Sequence, residues 1–146
     1  MLANSILGSG VHSKLFNNVR EKLSLAYYAF SRIDRSKQVM LIGMGIEAKN
    51  YNAAYDETMA QLASLKRGEI SDYEFESAKA YLVNNTISAT DSQNAMIVYG
   101  LTDLLNGERL TVEERVSRIM ATTREEVVAA AQEIELEMIY LLCAES

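Results

Sequence analysis

The spacing of the apolar residues changes twice along this chain, and this change constrains the fold more than any other feature. Between residues 26 and 46 apolar side chains alternate along the chain, which is the pattern of a half-buried strand. A polar turn over residues 34–37 divides this stretch, so we predict an antiparallel hairpin of about 20 residues. Gly43 and Gly45 fall on one face of its second strand, which predicts that another group packs closely there.

On both sides of the hairpin the apolar residues recur every three or four positions, which predicts helices. Three helix starts are marked by a Ser or Thr followed three residues later by Glu, the pattern of a capping box: Ser71 with Glu74, Thr111 with Glu114, and Thr123 with Glu126. The other predicted elements are a helix ending near residue 7, a short helix over 14–22 capped by Ser13, a helix from Asn50, a helix capped by Asp91, and a last strand over 138–144.

This order of elements predicts an α+β fold in which helices cover one face of an antiparallel sheet. The length of 146 residues fits a single domain, residues 1–146. Three strands are few for so many helices, so we expect strands upstream of Met1 to be missing and the chain to be part of a longer protein. The unpaired strand edges then predict a homo-oligomer. The alternative is a monomer in which residues 1–7 fold back over the edge.

Composition excludes several classes of function. The chain carries 20 acidic and 14 basic residues, and this net charge of -6 argues against nucleic-acid binding. It has no run of 18 apolar residues and no signal peptide, so we expect no membrane contact and a cytoplasmic location. His12 is its single histidine and Cys143 its single cysteine, so the chain has no zinc-peptidase motif and no internal disulfide. We therefore expect no metal or cofactor in this chain.

Most chemically reactive residues have a structural interpretation. His12 follows a glycine turn, and we expect a solvated turn histidine rather than a base or ligand. Cys143 lies in the predicted last strand without a basic neighbour, which predicts a buried, inert thiol. The paired glutamates at 113–114 and 125–126 occupy first helical turns, where the helix dipole favours acidic side chains.

The segment from Ser13 to Tyr28 is different, because it places Arg20 near a helix end and Tyr27 near a strand start. Arginine offers a fork of donors and tyrosine a single directed one, so the two could bind a peptide carbonyl or carboxylate. An equally good interpretation pairs Arg20 with Glu21 or another surface carboxylate and buries Tyr27 in the core.

The same segment resembles the C-terminal half of the pitrilysin/insulinase-type zinc peptidases, which include the mitochondrial processing peptidases and many bacterial proteins. The likeness rests on residues 6–16, 19–22 and 25–27. It continues through 45–51, 66–71, 122–127 and the last strand, and so covers essentially the whole chain. Ser24 departs from the pattern, since the family usually has glycine there. The details are most similar to a Gram-positive subgroup whose members often lack the zinc motif and act beside an active partner.

The resemblance implies two homologous halves that close around an extended peptide, with zinc, its ligands and the general base in the N-terminal half. The C-terminal half supplies an arginine and a tyrosine with the spacing of Arg20 and Tyr27, which would anchor the substrate and orient its carbonyl. We therefore expect the substrate-binding domain of a zinc-dependent metalloendopeptidase, inactive alone. Its partners would be an extended peptide and a zinc-type N-terminal half-domain or a paralogous subunit.

Two alternatives remain open at this point. The first is a purely structural or partner-binding peptidase-like subunit, which has the same fold and no peptide to bind. The second is an unrelated helical interaction module.

Overall fold

The computed structural model describes residues 1–105 and 107–143. Its two strands are β1 (Ala26–Asp34) and β2 (Val39–Ile46). Its α-helices are α1 (Leu2–Gly8), α2 (Tyr51–Lys66), α3 (Asp72–Ser88), α4 (Gln93–Leu105), α5 (Val112–Ala121) and α6 (Arg124–Gln132). A π-helix (Leu15–Lys22) precedes β1, and two short 3-10 turns (Ala48–Asn50 and Ala89–Asp91) precede α2 and α4. The predicted α+β class is confirmed.

The hairpin buries one face and exposes the other. β1 and β2 pair antiparallel from Ala26 opposite Ile46 to Asp34 opposite Val39. The inner face packs against the helical core through Ala29, Met40, Ile42 and Met44. On the outer face the rings of Phe30 and Tyr28 lie directly over Gly43 and Gly45, where a Cβ atom would come within 2.5 and 2.4 Å of them. The close packing predicted from the two glycines thus comes from the neighbouring strand.

Helix α1 folds back on the hairpin. The Ser31 hydroxyl donates to the Asn4 carbonyl at 3.2 Å, and the Ser9 hydroxyl donates to the Ser31 carbonyl at 3.3 Å. These bonds hold α1 against β1. The side chains below this junction form the centre of the core and are fully buried: Ile6, Leu7, Leu15, Val19 and Leu65.

The three predicted capping boxes are confirmed, with both reciprocal bonds formed at Ser71, Thr111 and Thr123. The predicted cap at Asp91 is wrong. Asp91 is the last residue of a 3-10 turn, and the Ser92 hydroxyl instead accepts the Ala95 N–H at 3.3 Å. One extra residue of turn therefore moves the start of α4 along the chain.

The predicted last strand is also wrong over Met138 to Cys143, and its final residue lies outside the described residues. A strand needs a backbone partner, and within residues 1–105 and 107–143 β1 and β2 pair only with each other. Met138, Tyr140 and Leu142 consequently remain about 80% exposed. Cys143 is exposed rather than buried for the same reason.

His12 is buried rather than solvated, because the turn after α1 directs its ring inward between α1 and α3. The ring is 4% exposed, its Nε2 lies 3.3 Å from the Ser5 hydroxyl, and its centroid lies 5.4 Å from that of Tyr81. This burial lowers the pKa of His12 below its usual value, since the charged ring would lose its hydration. His12 is therefore a neutral packing residue.

Candidate functional site

An open cleft of about 410 Å³ lies where the π-helix, the start of β1 and the end of β2 meet. It contains both residues singled out by the sequence. The residues that line it are Arg20, Glu21, Ser24, Leu25, Ala26, Tyr27, Glu47 and Asn50.

Arg20 is held in this cleft by three contacts. Its Nε donates to the Tyr27 carbonyl at 3.0 Å, its Nη1 lies 3.3 Å from Glu21 Oε1, and its guanidinium carbon lies 4.7 Å from the centroid of the Phe16 ring. The predicted surface ion pair with Glu21 therefore exists. The other terminal nitrogen, Nη2, has no partner among the described residues. The guanidinium is therefore held in place while the N–H groups of Nη2 remain available to a ligand.

Tyr27 occupies a β-bulge, which explains why its side chain leaves the sheet. The register shifts between Ala26 and Tyr28, so Tyr27 is the extra residue of β1. Bulges re-aim side chains in this way. Tyr27 is 69% exposed, and its hydroxyl donates to Glu47 Oε1 at 3.3 Å. The interpretation that buried Tyr27 in the core is therefore wrong.

Ser24 connects the two elements in a left-handed conformation, with φ at +51°. This backbone costs a non-glycine residue of the order of 1 kcal/mol, and glycine adopts it freely. The geometry explains why the family that the sequence resembles usually has glycine at this position. Serine keeps the same turn and adds a hydroxyl to the lining of the cleft.

The helix that carries Arg20 is a π-helix rather than an α-helix. Its last N–H, from Leu23, donates to the Asn18 carbonyl five residues back at 3.2 Å. The side-chain amides of Asn17 and Asn18 donate to the carbonyls of Ser13 and Lys14, both at 3.1 Å. The Ser13 carbonyl also accepts the backbone N–H of Asn17 at 3.0 Å, so the Asn17 amide is a second donor to it. Short π-helical segments are frequently found at functional sites.

Sequence reasoning missed Glu47, which lines the cleft after the end of β2, and its ion-pair partner Lys49. Lys49 Nζ lies 2.6 Å from Glu47 Oε2, and this hydrogen bond and charge hold the pKa of Glu47 below its usual value. The carboxylate is ionised at neutral pH, as exposed glutamates are. The pairing pattern alone does not give this contact, because antiparallel pairing of residue 26 with residue 46 sets residue 47 opposite residue 25. The Tyr27 hydroxyl reaches Glu47 from the bulge, at 3.3 Å.

The described residues contain no cluster of side chains that resembles a metal site. Within residues 1–105 and 107–143, no group of three or more His, Cys, Asp or Glu side chains could hold a metal ion. The donor set of this part of the chain does not fit a catalytic zinc. In the same part of the chain, none of the helices has the length and apolar character that a membrane crossing requires.

Residues 1–82 match the family model for the peptidase M16 inactive domain. This chain belongs to that family. The M16 inactive domain described here is 34% identical over 144 residues to the probable inactive metalloprotease YmfF of Bacillus subtilis (strain 168), covering 95% of this chain and 33% of that protein. It is 28% identical over 140 residues to the uncharacterized zinc protease YmxG of the same organism, covering 94% of this chain and 34% of that protein.

A solved structure shares the fold of this M16 inactive domain. It is the crystal structure of a conserved protein from Enterococcus faecalis V583, which has a TM-score of 0.82 and 39% identity over 90% of this chain and 31% of that one. The family indicated by the segment around Arg20 is thus confirmed. The chain spans about a third of the length of these relatives.

Proposed function

We propose that this domain binds extended peptide for a zinc-dependent metalloendopeptidase and does not catalyse cleavage itself. The observation that carries the proposal is the preorganised pair in the cleft. Arg20 is fixed by three contacts with Nη2 left free, and Tyr27 is turned outward by a bulge. The zinc and its ligands would belong to another part of the protein or to a partner.

The pair suits the backbone of a peptide rather than one particular side chain. The free Nη2 donors of Arg20 can bind a peptide carbonyl or a carboxylate. The Tyr27 hydroxyl can donate to a second carbonyl when it leaves Glu47. Carbonyl groups recur in every extended peptide, so we expect broad sequence tolerance.

The proposed partner is a zinc-type N-terminal half-domain or a paralogous subunit. Two features support it. The relatives are about three times as long as this chain, and the outer face of the hairpin leaves Tyr28 55% and Phe30 37% exposed. A partner that closed over this face would cover the cleft at the same time.

Arg20→Ala is expected to weaken peptide binding about 10- to 100-fold, because a hydrogen bond to a charged group contributes about 1.5–3 kcal/mol. Tyr27→Phe removes a neutral donor, so we expect a loss of several-fold. Tyr27 is exposed and Arg20 is half-buried, so the melting temperature should change little. Anisotropy of fluorescein-labelled casein peptides, titrated with the 146-residue chain, measures the effect.

Arg109→Ala and Tyr73→Phe are the matched controls, since both residues are exposed and lie outside the cleft. They should bind as tightly as the unmodified chain. A large loss of stability in either cleft variant would show that the residue is structural, and unchanged binding would refute the proposal.

The second candidate function is a peptidase-like subunit that holds a partner and binds no peptide. It is favoured by the likeness to YmfF, a probable inactive metalloprotease. This function predicts no binding of casein peptides by the unmodified chain. The same titration therefore separates the two candidates.

We also propose that the isolated chain forms a homo-oligomer. The support is that neither outer edge of the β1–β2 sheet has a strand partner within residues 1–105 and 107–143, and that Met138 to Leu142 expose apolar side chains. Light scattering at micromolar concentration should give a multiple of 16.3 kDa. A mass of 16.3 kDa would mean that the packing of α1 against β1 suffices to keep a monomer.

A further inference from the structure

We propose that Glu47 is the positioning residue for the Tyr27 phenol and that Lys49 holds Glu47 in place. This inference rests on the proposed function of the cleft and assigns a role to two residues that the sequence pattern did not single out. Two contacts link the three side chains, from Tyr27 through Glu47 to Lys49. The Tyr27 hydroxyl donates to Glu47 Oε1 at 3.3 Å, and Lys49 Nζ lies 2.6 Å from Glu47 Oε2.

The carboxylate of Glu47 is not needed for local structure. Glu47 precedes the 3-10 turn Ala48–Asn50, at a position where a side chain often caps the turn. Its side chain makes no such bond. The turn is closed by the backbone, because the Asn50 N–H donates to the Glu47 carbonyl at 2.9 Å. The side chain is thus free to extend towards Tyr27.

The charge of Glu47 determines the direction of the phenol hydroxyl. An ionised carboxylate can only accept hydrogen bonds, so the phenol must be the donor. The proton of Tyr27 therefore points to a defined place, beside the end of β2. Glu47 is exposed and ionised at neutral pH, and the hydrogen bond from Lys49 lowers its pKa further.

The contact orients the hydroxyl without locking it. At 3.3 Å it is longer than the 2.5–2.7 Å of a strong bond between a hydroxyl and a carboxylate. Tyr27, at 69% exposed, is also surrounded by water. A peptide carbonyl that enters the cleft can therefore replace Glu47 as acceptor, while the ring is already held in place.

Tyrosine-selective 13C NMR of the 146-residue chain tests the positioning directly, with the Tyr27 signal assigned by its absence in Tyr27→Phe. Glu47→Ala should lower the order parameter of the Tyr27 ring below its value in the unmodified chain. Lys49→Met should lower the order parameter of the Tyr27 ring by a smaller amount than Glu47→Ala. Glu47→Gln keeps a carbonyl acceptor, so the order parameter of the Tyr27 ring should change little. Glu69→Ala removes another exposed, paired carboxylate, which is salt-bridged to Arg67, and should have no effect.

The second measurement uses the casein peptides. Glu47→Ala should weaken binding by about the same factor as Tyr27→Phe, and the double variant should be no weaker than either single one. An unchanged Tyr27 ring in Glu47→Ala, or additive losses in the double variant, would overturn the inference. The NMR measurement needs no peptide, so it still decides the role of Glu47 if casein peptides do not bind. In that case only the proposed function fails.

Discussion

Asp103→Ala is expected to cost about 3–5 kcal/mol of stability, because it leaves a buried arginine without its counter-charge. Arg115 Nη2 donates to both oxygens of Asp103, at 2.7 and 2.6 Å, and both side chains are about 10% exposed. The Arg115 guanidinium also lies 5.0 Å from the Tyr99 ring centroid. Asp103 is the buried residue of α4, so α4 should detach first.

Urea denaturation gives the total loss, and hydrogen exchange of the amides of residues 93–105 shows whether α4 opens. Asp56→Ala, at an exposed aspartate of α2, is the control and should change stability by less than about 0.5 kcal/mol. The double variant Asp103→Leu/Arg115→Met should recover most of the stability, since it removes both buried charges together. A loss below about 1 kcal/mol in Asp103→Ala would contradict the expected importance of this ion pair.

Gly8→Ala is expected to destabilise the domain by about 3 kcal/mol, the upper part of the range for overpacking. A Cβ at Gly8 would lie 2.5 Å from both the backbone nitrogen and the hydroxyl oxygen of Ser31. Backbone atoms in a strand cannot move aside, so α1 would have to shift on the hairpin. Thermal unfolding should show a fall of roughly 6–12 °C.

Gly43→Ala is the matched control for this prediction. Its Cβ would also come within 2.5 Å of a neighbour, but that neighbour is the end of the Phe30 ring. The Phe30 side chain is 37% exposed and can rotate into solvent. We expect a loss below about 1 kcal/mol. Equal losses in the two variants would show that the α1–β1 junction adapts easily.

Features that depend on local hydrogen bonds could be predicted from the sequence. The capping boxes at Ser71, Thr111 and Thr123 need only residues three positions apart, and all three formed. The hairpin followed from its own alternation of side chains. The spacing of Arg20 and Tyr27 placed both in one cleft, although the contact between them runs through the Tyr27 carbonyl rather than its hydroxyl.

Features that depend on distant partners could not be predicted. A strand at 138–143 requires a second strand beside it, and apolar alternation alone does not supply one. The burial of His12 depends on Ser5 and Tyr81, which come from two different helices. Glu47 was missed because one extra residue in β1 decides which side chains meet across the hairpin.

The bulge at Tyr27 makes the phenol separable from the pairing of the two strands. The ladder from Tyr28 to Asp34 pairs one residue to one with β2 and does not depend on the extra residue. Loss of a single codon would therefore remove the phenol and leave every later pairing in register.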